Sequence, residues 1–241
     1  MARRPVADPG ADRRDPPISH SYYLSLVALA RFYRRVGDRA PPGGLVLDVG
    51  CGRRPYEPFF AGLRYVGIDL SGRFCDVAAE AGRFPFLDSS FDIVLCSTVL
   101  EHVEEPAAVV GETRRVLRPG GLAAFATPFA WEYHARPRDY WRFSEDALRR
   151  LFSGFEILEI LPDTSPGQCL LEMTNLQVYR ALSGRVGRSV RPTLFAISNL
   201  LGRHVFRPRA GQENSFPACY TTLARRPVDE EGVQAGGCGG R

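Results

Sequence analysis

Leu45-Val46-Leu47-Asp48-Val49-Gly50-Cys51-Gly52 is the stretch whose reading decides the fold. A short apolar run closed by glycine has the signature of a strand buried on both faces of a parallel sheet. Glycines placed immediately after such a strand let the backbone turn tightly and approach a ligand where a Cβ atom would collide. Upstream, Tyr22, Tyr23, Leu26, Leu29, Ala30 and Tyr33 recur at three- and four-residue steps, which predicts an amphipathic helix over Ser19 to Val36, ended by Pro41-Pro42-Gly43-Gly44. Downstream, strands are expected at Arg64 to Asp69, near Asp76 to Ala79, at Phe91 to Cys96 and at Leu122 to Thr127. A helix is expected from Pro106 to Leu117, with Pro106 in its first turn and Arg118-Pro119-Gly120-Gly121 as its stop and turn.

Strands alternating with helices across short loops predict an α/β fold, a Rossmann-like doubly wound sheet with helices on both faces. Beyond it, Ser144 to Leu151 reads as a serine-capped helix with an acidic first turn, Phe155 to Leu161 as a strand and Cys219 to Ala224 as the last strand. The interval of about 167–206 carries two helical patterns and is expected to form a helical cap over the acceptor side of the site. One domain over 18–228 is the resulting division, with 1–17 and 229–241 expected to be disordered because they are rich in Arg, Asp and Pro, and in Gly, respectively.

The chain has 241 residues, 44% of them hydrophobic, enough for one full-sized core. Its formal charge of +4 is too small to imply a polyanion partner, and no nucleic acid is expected. All 31 basic residues are arginine, a pattern of composition rather than of phosphate recognition. The six cysteines form no CxxC pair and no Cys/His zinc spacing, so no metal is expected, and reduced thiols point to the cytoplasm. No stretch approaches the run of about 18 apolar residues that spans a bilayer. The arginines between the two helical patterns, Arg180, Arg185, Arg188 and Arg191, leave a peripheral membrane contact open.

Asp69 stands nineteen residues past Gly50 at the end of the second strand, where a carboxylate can accept from both hydroxyls of a ribose. Up to this point, dinucleotide binding fits as well. Five ordered segments narrow the choice: Leu47 to Gly52; Tyr65 to Ser71; Arg83-Phe84-Pro85-Phe86 with Ser90-Phe91-Asp92; Val99-Leu100-Glu101-His102; and Arg115 to Gly121. Together they resemble the class I S-adenosylmethionine-dependent methyltransferases, in particular the type 11 group related to ubiquinone biosynthesis. The resemblance covers roughly residues 44–130, about a third of the chain.

That resemblance implies a three-layer α/β/α domain, its sheet mostly parallel with an antiparallel last strand, and S-adenosylmethionine as cofactor. It implies that Asp48, Gly50, Cys51 and Gly52 border the methionine part, that Asp69 and Leu70 hold the ribose, and that Glu80 and Ala81 lie near the adenine, with Asp76 competing for that place. Cys96 and Ser97 would lie beside the methionyl amine and the transferable methyl. The family often has a third glycine where this chain has Arg54, whose side chain must therefore point away from the cofactor.

Methyl transfer from a sulfonium is an in-line displacement, so alignment is the main task of the protein and a base helps when the acceptor is a hydroxyl. His102 and His134 are the candidate bases, together with Asp139. The run His134 to Ser144, with its His-x-x-Pro-x-Asp-Tyr-Trp-Arg-Phe-Ser pattern, is similar to a subgroup associated with glycan or secondary-metabolite pathways, and it nominates Tyr140, Trp141 and Arg142 as acceptor contacts. A packed aromatic corner with Asp139 paired to Arg142 is the alternative for the same residues. A small-molecule or saccharide acceptor methylated at oxygen is the expected function. A noncatalytic S-adenosylmethionine-binding partner of the same fold is the competing one.

Overall fold

The computed structural model describes residues 10–70, 74–134, 138–207 and 216–228. The tail expected to be loose, 229–241, lies outside them. β1 (Leu45–Val49) lies inside a seven-stranded sheet, paired in parallel with β2 (Arg64–Asp69) on one side and β4 (Phe91–Ser97) on the other. β3 (Val77–Ala78) adds to the edge of β2, and β5 (Leu117–Pro128) lies beyond β4. β7 (Cys219–Arg225) inserts antiparallel between β5 and β6 (Glu156–Pro162), giving the order β3-β2-β1-β4-β5-β7-β6. This is the Rossmann-like doubly wound sheet expected, mostly parallel with its last strand reversed.

Val46, Leu47 and Val49 have no exposed surface, and their side chains divide between the two faces with the period of a strand. Val46 joins Ile93, Leu95 and Ala124 beneath α2 (Tyr23–Gly37), whose Leu29, Phe32, Tyr33 and Val36 close that face. Leu47 and Val49 join Val94, Cys96 and Phe125 on the opposite face, under α3 (Pro106–Val116) and α4 (Glu145–Leu151). The expected serine cap of α4 is present, with Ser144 accepting from the Ala147 N–H. Arg118 to Gly121, expected to be a turn, instead lies within β5, with Gly120 at φ +81° and its N–H donating to the Arg226 carbonyl. The strand absorbs the irregularity because β7 and its continuation supply partners for the displaced backbone.

Two further observations concern residues 10–17 and the two helices expected over about 167–206. Residues 10–17, expected to be disordered, carry a short helix, α1 (Ala11–Arg14), tethered where Arg14 donates to the Pro55 carbonyl at 3.1 Å. The interval 167–206 forms α5 (Pro166–Ala181) and α6 (Arg185–His204), with α5 started by a capping box of Ser165 and Gln168. These helices pack on α2 and none of their residues lines the cavity described below. They act through the entry to α2: the Ser25 N–H donates to Glu172 at 2.9 Å, and the Asn199 amide donates to the Ile18 and His20 carbonyls at 2.7 and 2.9 Å.

Candidate active site

All parallel strands end on one edge of the sheet, and a groove runs along that edge past the turn after β1. Gly50 takes φ +65° and approaches Val99 so closely that a Cβ would collide with the valine side chain. Gly52 takes φ +51°, and a Cβ built on it would meet no atom within 4 Å, because it would project into the groove. Gly50 borders both halves of the groove. One half, a cavity of about 330 Å³, is lined by Asp48, Gly52, Tyr56 and Ser97. The other, about 640 Å³, is lined by Asp69, Leu70, Glu80 and Ala81.

The carboxylates at this edge have distinct roles. Asp48 is buried at the end of β1 and accepts from the Tyr65 hydroxyl at 2.6 Å; its burial pushes its pKa up to about 7. Asp69 accepts from the Gly52 N–H at 3.0 Å, which ties the glycine turn to the end of β2. Asp76, the competitor of Glu80, accepts from the Gly67 N–H at 2.8 Å and pairs with Arg54 at 3.1 Å, outside the groove. Arg54 holds φ +55° and turns its guanidinium away from the groove, onto Asp76, the Tyr65 carbonyl and the Tyr65 ring. A residue other than glycine in that conformation costs about 1–2 kcal/mol, which these charge-assisted contacts offset. Cys51, largely buried against Gly67, borders the Asp48 half of the groove, whereas Cys96 lies wholly in the core with its carbonyl accepting from Tyr33 and lines neither half.

Beside the Asp48 half lies a second cavity of about 450 Å³. Tyr22, Leu26 and Leu29 form its apolar side, Thr98, Glu101 and His102 come from the turn after β4, and Trp131 and His134 from the loop after β5. Asp12 and Arg13 of α1 border both this cavity and the groove, so the two spaces adjoin. Glu101 has a side chain 1% exposed, and neither of its oxygens has a hydrogen-bond partner among the described residues; burial raises its pKa to about 7. His102 Nδ1 lies 2.6 Å from the Arg138 carbonyl, and the His102 and His134 rings meet edge to face at 5.0 Å.

Asp139 does not line this second cavity. Its side chain is fully buried, accepts two bonds from Arg142 at 2.6 and 2.9 Å and one from the His134 N–H at 2.8 Å, and the Arg142 guanidinium holds its pKa well below the carboxylate range. Arg142 also donates to the Trp131 and Glu132 carbonyls, so the pair knots the loop that carries His134. Nor do Tyr140, Trp141 and Arg142 line the cavity. Tyr140 donates to Glu104 and borders the Asp69 half of the groove, while the Trp141 indole donates to the Val103 carbonyl. Their polar atoms are committed to holding the two loops together. The residues that take their place, Tyr22, Trp131, His20, Asp12 and Arg13, carry no sequence signal beyond proximity to a helix start or a loop, because four of them precede the first strand, far in sequence from the loops they meet.

Residues 47–125 match a family model described as a methyltransferase domain. An uncharacterized methyltransferase of Mycobacterium sp. (strain JLS) is 37% identical over 111 residues, 41% of this chain and 44% of that protein. The ubiquinone biosynthesis O-methyltransferase of Thiobacillus denitrificans is 37% identical over 113 residues, 39% of this chain and 49% of that protein. The chain thus matches about half the length of these curated relatives. Among solved structures, phosphoethanolamine N-methyltransferase 2 of Haemonchus contortus, in complex with S-adenosyl-L-methionine, superposes with a TM-score of 0.55 at 16% identity, over 94% of this chain and 61% of that one, a likeness of fold alone. Residues 47–125 thus resemble the methyltransferase-domain family, and the seven-stranded sheet around them has the Rossmann-like fold seen in a solved methyltransferase.

Proposed function

We propose that this protein is an S-adenosylmethionine-dependent methyltransferase that methylates a hydroxyl of a small molecule or saccharide by in-line displacement. The observation that carries the reading is the junction at Asp48, Gly50 and Ser97, where the groove meets a separate cavity through the shared residues Asp12 and Arg13. A two-substrate transfer needs two adjoining spaces, one for the donor and one for the acceptor. The residues of the groove fit the donor: the open face at Gly52 admits it without a Cβ in the way, and Asp48 offers a buried carboxylate to a cationic methionyl end. On this reading Asp69 and Leu70 would hold the ribose and Glu80 and Ala81 would lie beside the adenine, which their shared lining of the second half of the groove supports. S-Adenosylmethionine, when bound, supplies an electrophilic methyl on a sulfonium.

The chain itself positions and activates the acceptor. Tyr22, Leu26, Leu29 and Trp131 exclude water from one side of the cavity, and the wall of Glu101, His102 and His134 is the place where a hydroxyl proton is taken up. Asp139 is a positioning residue that orients His134. Formation of S-adenosylhomocysteine across a panel of hydroxylated acceptors tests the reading. His134→Ala is expected to lower turnover by roughly 10²-fold with cofactor affinity unchanged. Cofactor binding without turnover on any acceptor would favour the noncatalytic partner reading instead.

Two subordinate readings go with this one. Among the described residues Cys51, Cys96, Cys169 and Cys219 form no disulfide, which suits a reducing compartment such as the cytoplasm. No described helix is long and apolar enough to cross a membrane. Peripheral contact with a lipid surface is favoured by α6, which has no acidic residue and exposes Val186, Val190, Leu194, Ile197 and Leu201 along one side.

A further inference from the structure

Glu101 and His102 are adjacent in sequence and His134 follows thirty-two residues after His102, a spacing with no motif in it. The fold nevertheless brings one ligand atom from each, a carboxylate oxygen and two ring nitrogens, within 4.8 Å of one another on the wall of the acceptor cavity. Glu101 is the unusual member. Its side chain is 1% exposed and neither oxygen finds a hydrogen-bond partner among the described residues, so it is a buried carboxylate aimed into the cluster with its lone pairs unused.

The imidazoles are set up to complement it. A carbonyl can only accept, so the 2.6 Å contact of His102 Nδ1 with the Arg138 carbonyl puts the proton on Nδ1. That leaves a lone pair on Nε2, the nitrogen that lies 3.8 Å from Glu101 Oε1. His134 Nδ1 likewise faces two acceptors, the Glu132 carbonyl at 3.2 Å and Asp139 Oδ2 at 3.4 Å, which leaves its Nε2 as the donor atom. Asp139 is in turn clamped by Arg142. Acceptors behind both imidazoles, fixing tautomer and ring orientation, are the second layer that metal-binding histidines require.

We propose that Glu101, His102 and His134 bind a divalent first-row transition metal, with Zn²⁺ the best match, at the wall of the acceptor cavity. Two imidazoles with one carboxylate suit Zn²⁺, whereas Mg²⁺ and Ca²⁺ favour oxygen ligands throughout. Bonds of about 2.0–2.2 Å set tetrahedral donors about 3.3–3.6 Å apart, so the His102–Glu101 pair, at 3.8 Å, closes with a sub-ångström shift and the ring of His134, on a partly exposed loop, supplies the rest. Three protein ligands leave a position open toward the cavity. If the methyltransferase reading holds, an acceptor hydroxyl bound there would lose its proton to solvent more readily, so that with metal present the three residues act as ligands and do not themselves take up the proton. The metal site itself does not depend on that reading.

The test is metal binding by the whole protein after chelator treatment. Zn²⁺ is titrated in competition with a chromogenic chelator, and Co²⁺ is followed by its visible absorption. One equivalent is expected, with a Co²⁺ spectrum free of thiolate charge transfer. His134→Ala, His102→Gln and Glu101→Gln should each weaken binding at least about 100-fold, and Asp139→Asn about 10–100-fold. S-Adenosylmethionine affinity, measured on the same metal-free samples, should be unchanged, which separates failure of the metal site from failure of the methyltransferase reading. His134 lies on a surface loop, so His134→Ala keeps the test decisive if Glu101→Gln does not fold. Absence of stoichiometric uptake, uptake undiminished by His134→Ala, or a thiolate band would overturn the proposal.

Discussion

Asp48 is the residue on which the groove's electrostatics turn. It sits near the end of β1, buried, with one oxygen engaged by the Tyr65 hydroxyl and a pKa near 7 set by burial. A carboxylate raised into that range binds a cationic ligand only in its ionised form. Affinity for S-adenosylmethionine is therefore expected to fall as pH drops below about 7, approaching tenfold per pH unit on the acid side. Calorimetric titration between pH 5.5 and 8.5 checks it. Asp48→Asn should remove the pH dependence and weaken binding about 10–100-fold; a variant that binds normally would take Asp48 out of the site. Arg54 is the counterexample at the same scale: its position beside the glycine turn suggests interference, yet its strained backbone and its contacts with Asp76 carry it clear of the groove.

At the level of elements, the helical pair α5–α6 matters through what it holds. Glu172 of α5 is buried and accepts from both the backbone N–H and the hydroxyl of Ser25 at the entry to α2, and its pKa is pushed up to about 8 by burial. Its folded value lies above the 4.5 of an ordinary glutamate, so the native state keeps a proton that the unfolded chain has lost. The stability this gives is complete below about pH 4.5 and declines as pH rises to about 8. Glu172→Gln keeps an acceptor for the Ser25 N–H and removes the titration. Its melting temperature should depend less on pH, and above pH 8 it should exceed that of the parent by a few degrees, on the order of 4 °C. The outer side of α6 makes a separate prediction. Flotation with anionic vesicles should carry part of the protein upward, and Ile197→Asp with Leu201→Asp should abolish it; a protein wholly in the soluble fraction with the native sequence would sink the lipid contact.

For the molecule as a whole, the two ends of the sheet's carboxyl edge are bridged by chain that precedes the first strand. α1 spans the groove and the acceptor cavity through Asp12 and Arg13, and residues 18–29 supply His20, Tyr22, Leu26 and Leu29 to the cavity. Deleting residues 1–17 is expected to raise the acceptor KM several-fold and weaken cofactor binding, while the melting temperature, set by the sheet and its two apolar faces, shifts by less than about 3 °C. Equal kinetics in the truncated protein would remove α1 from the site. The strands and the glycine turn were legible in the sequence because period-two burial, closing glycines and the carboxylate after β2 are local chemistry, written within a few residues of where they act. The same holds for the pairing of Asp139 with Arg142, three residues apart on one loop. What the tertiary structure alone decided is which side chains meet. Arg54 faces out because Asp76 and Tyr65 lie behind it, Tyr140 to Arg142 are spent on loop contacts, and Glu101, His102 and His134 converge although nothing in their spacing announces it. Such meetings depend on how separate loops leave the ends of β4 and β5 and on a helix docking from the chain's start, and those are properties of packing between distant segments rather than of any one of them.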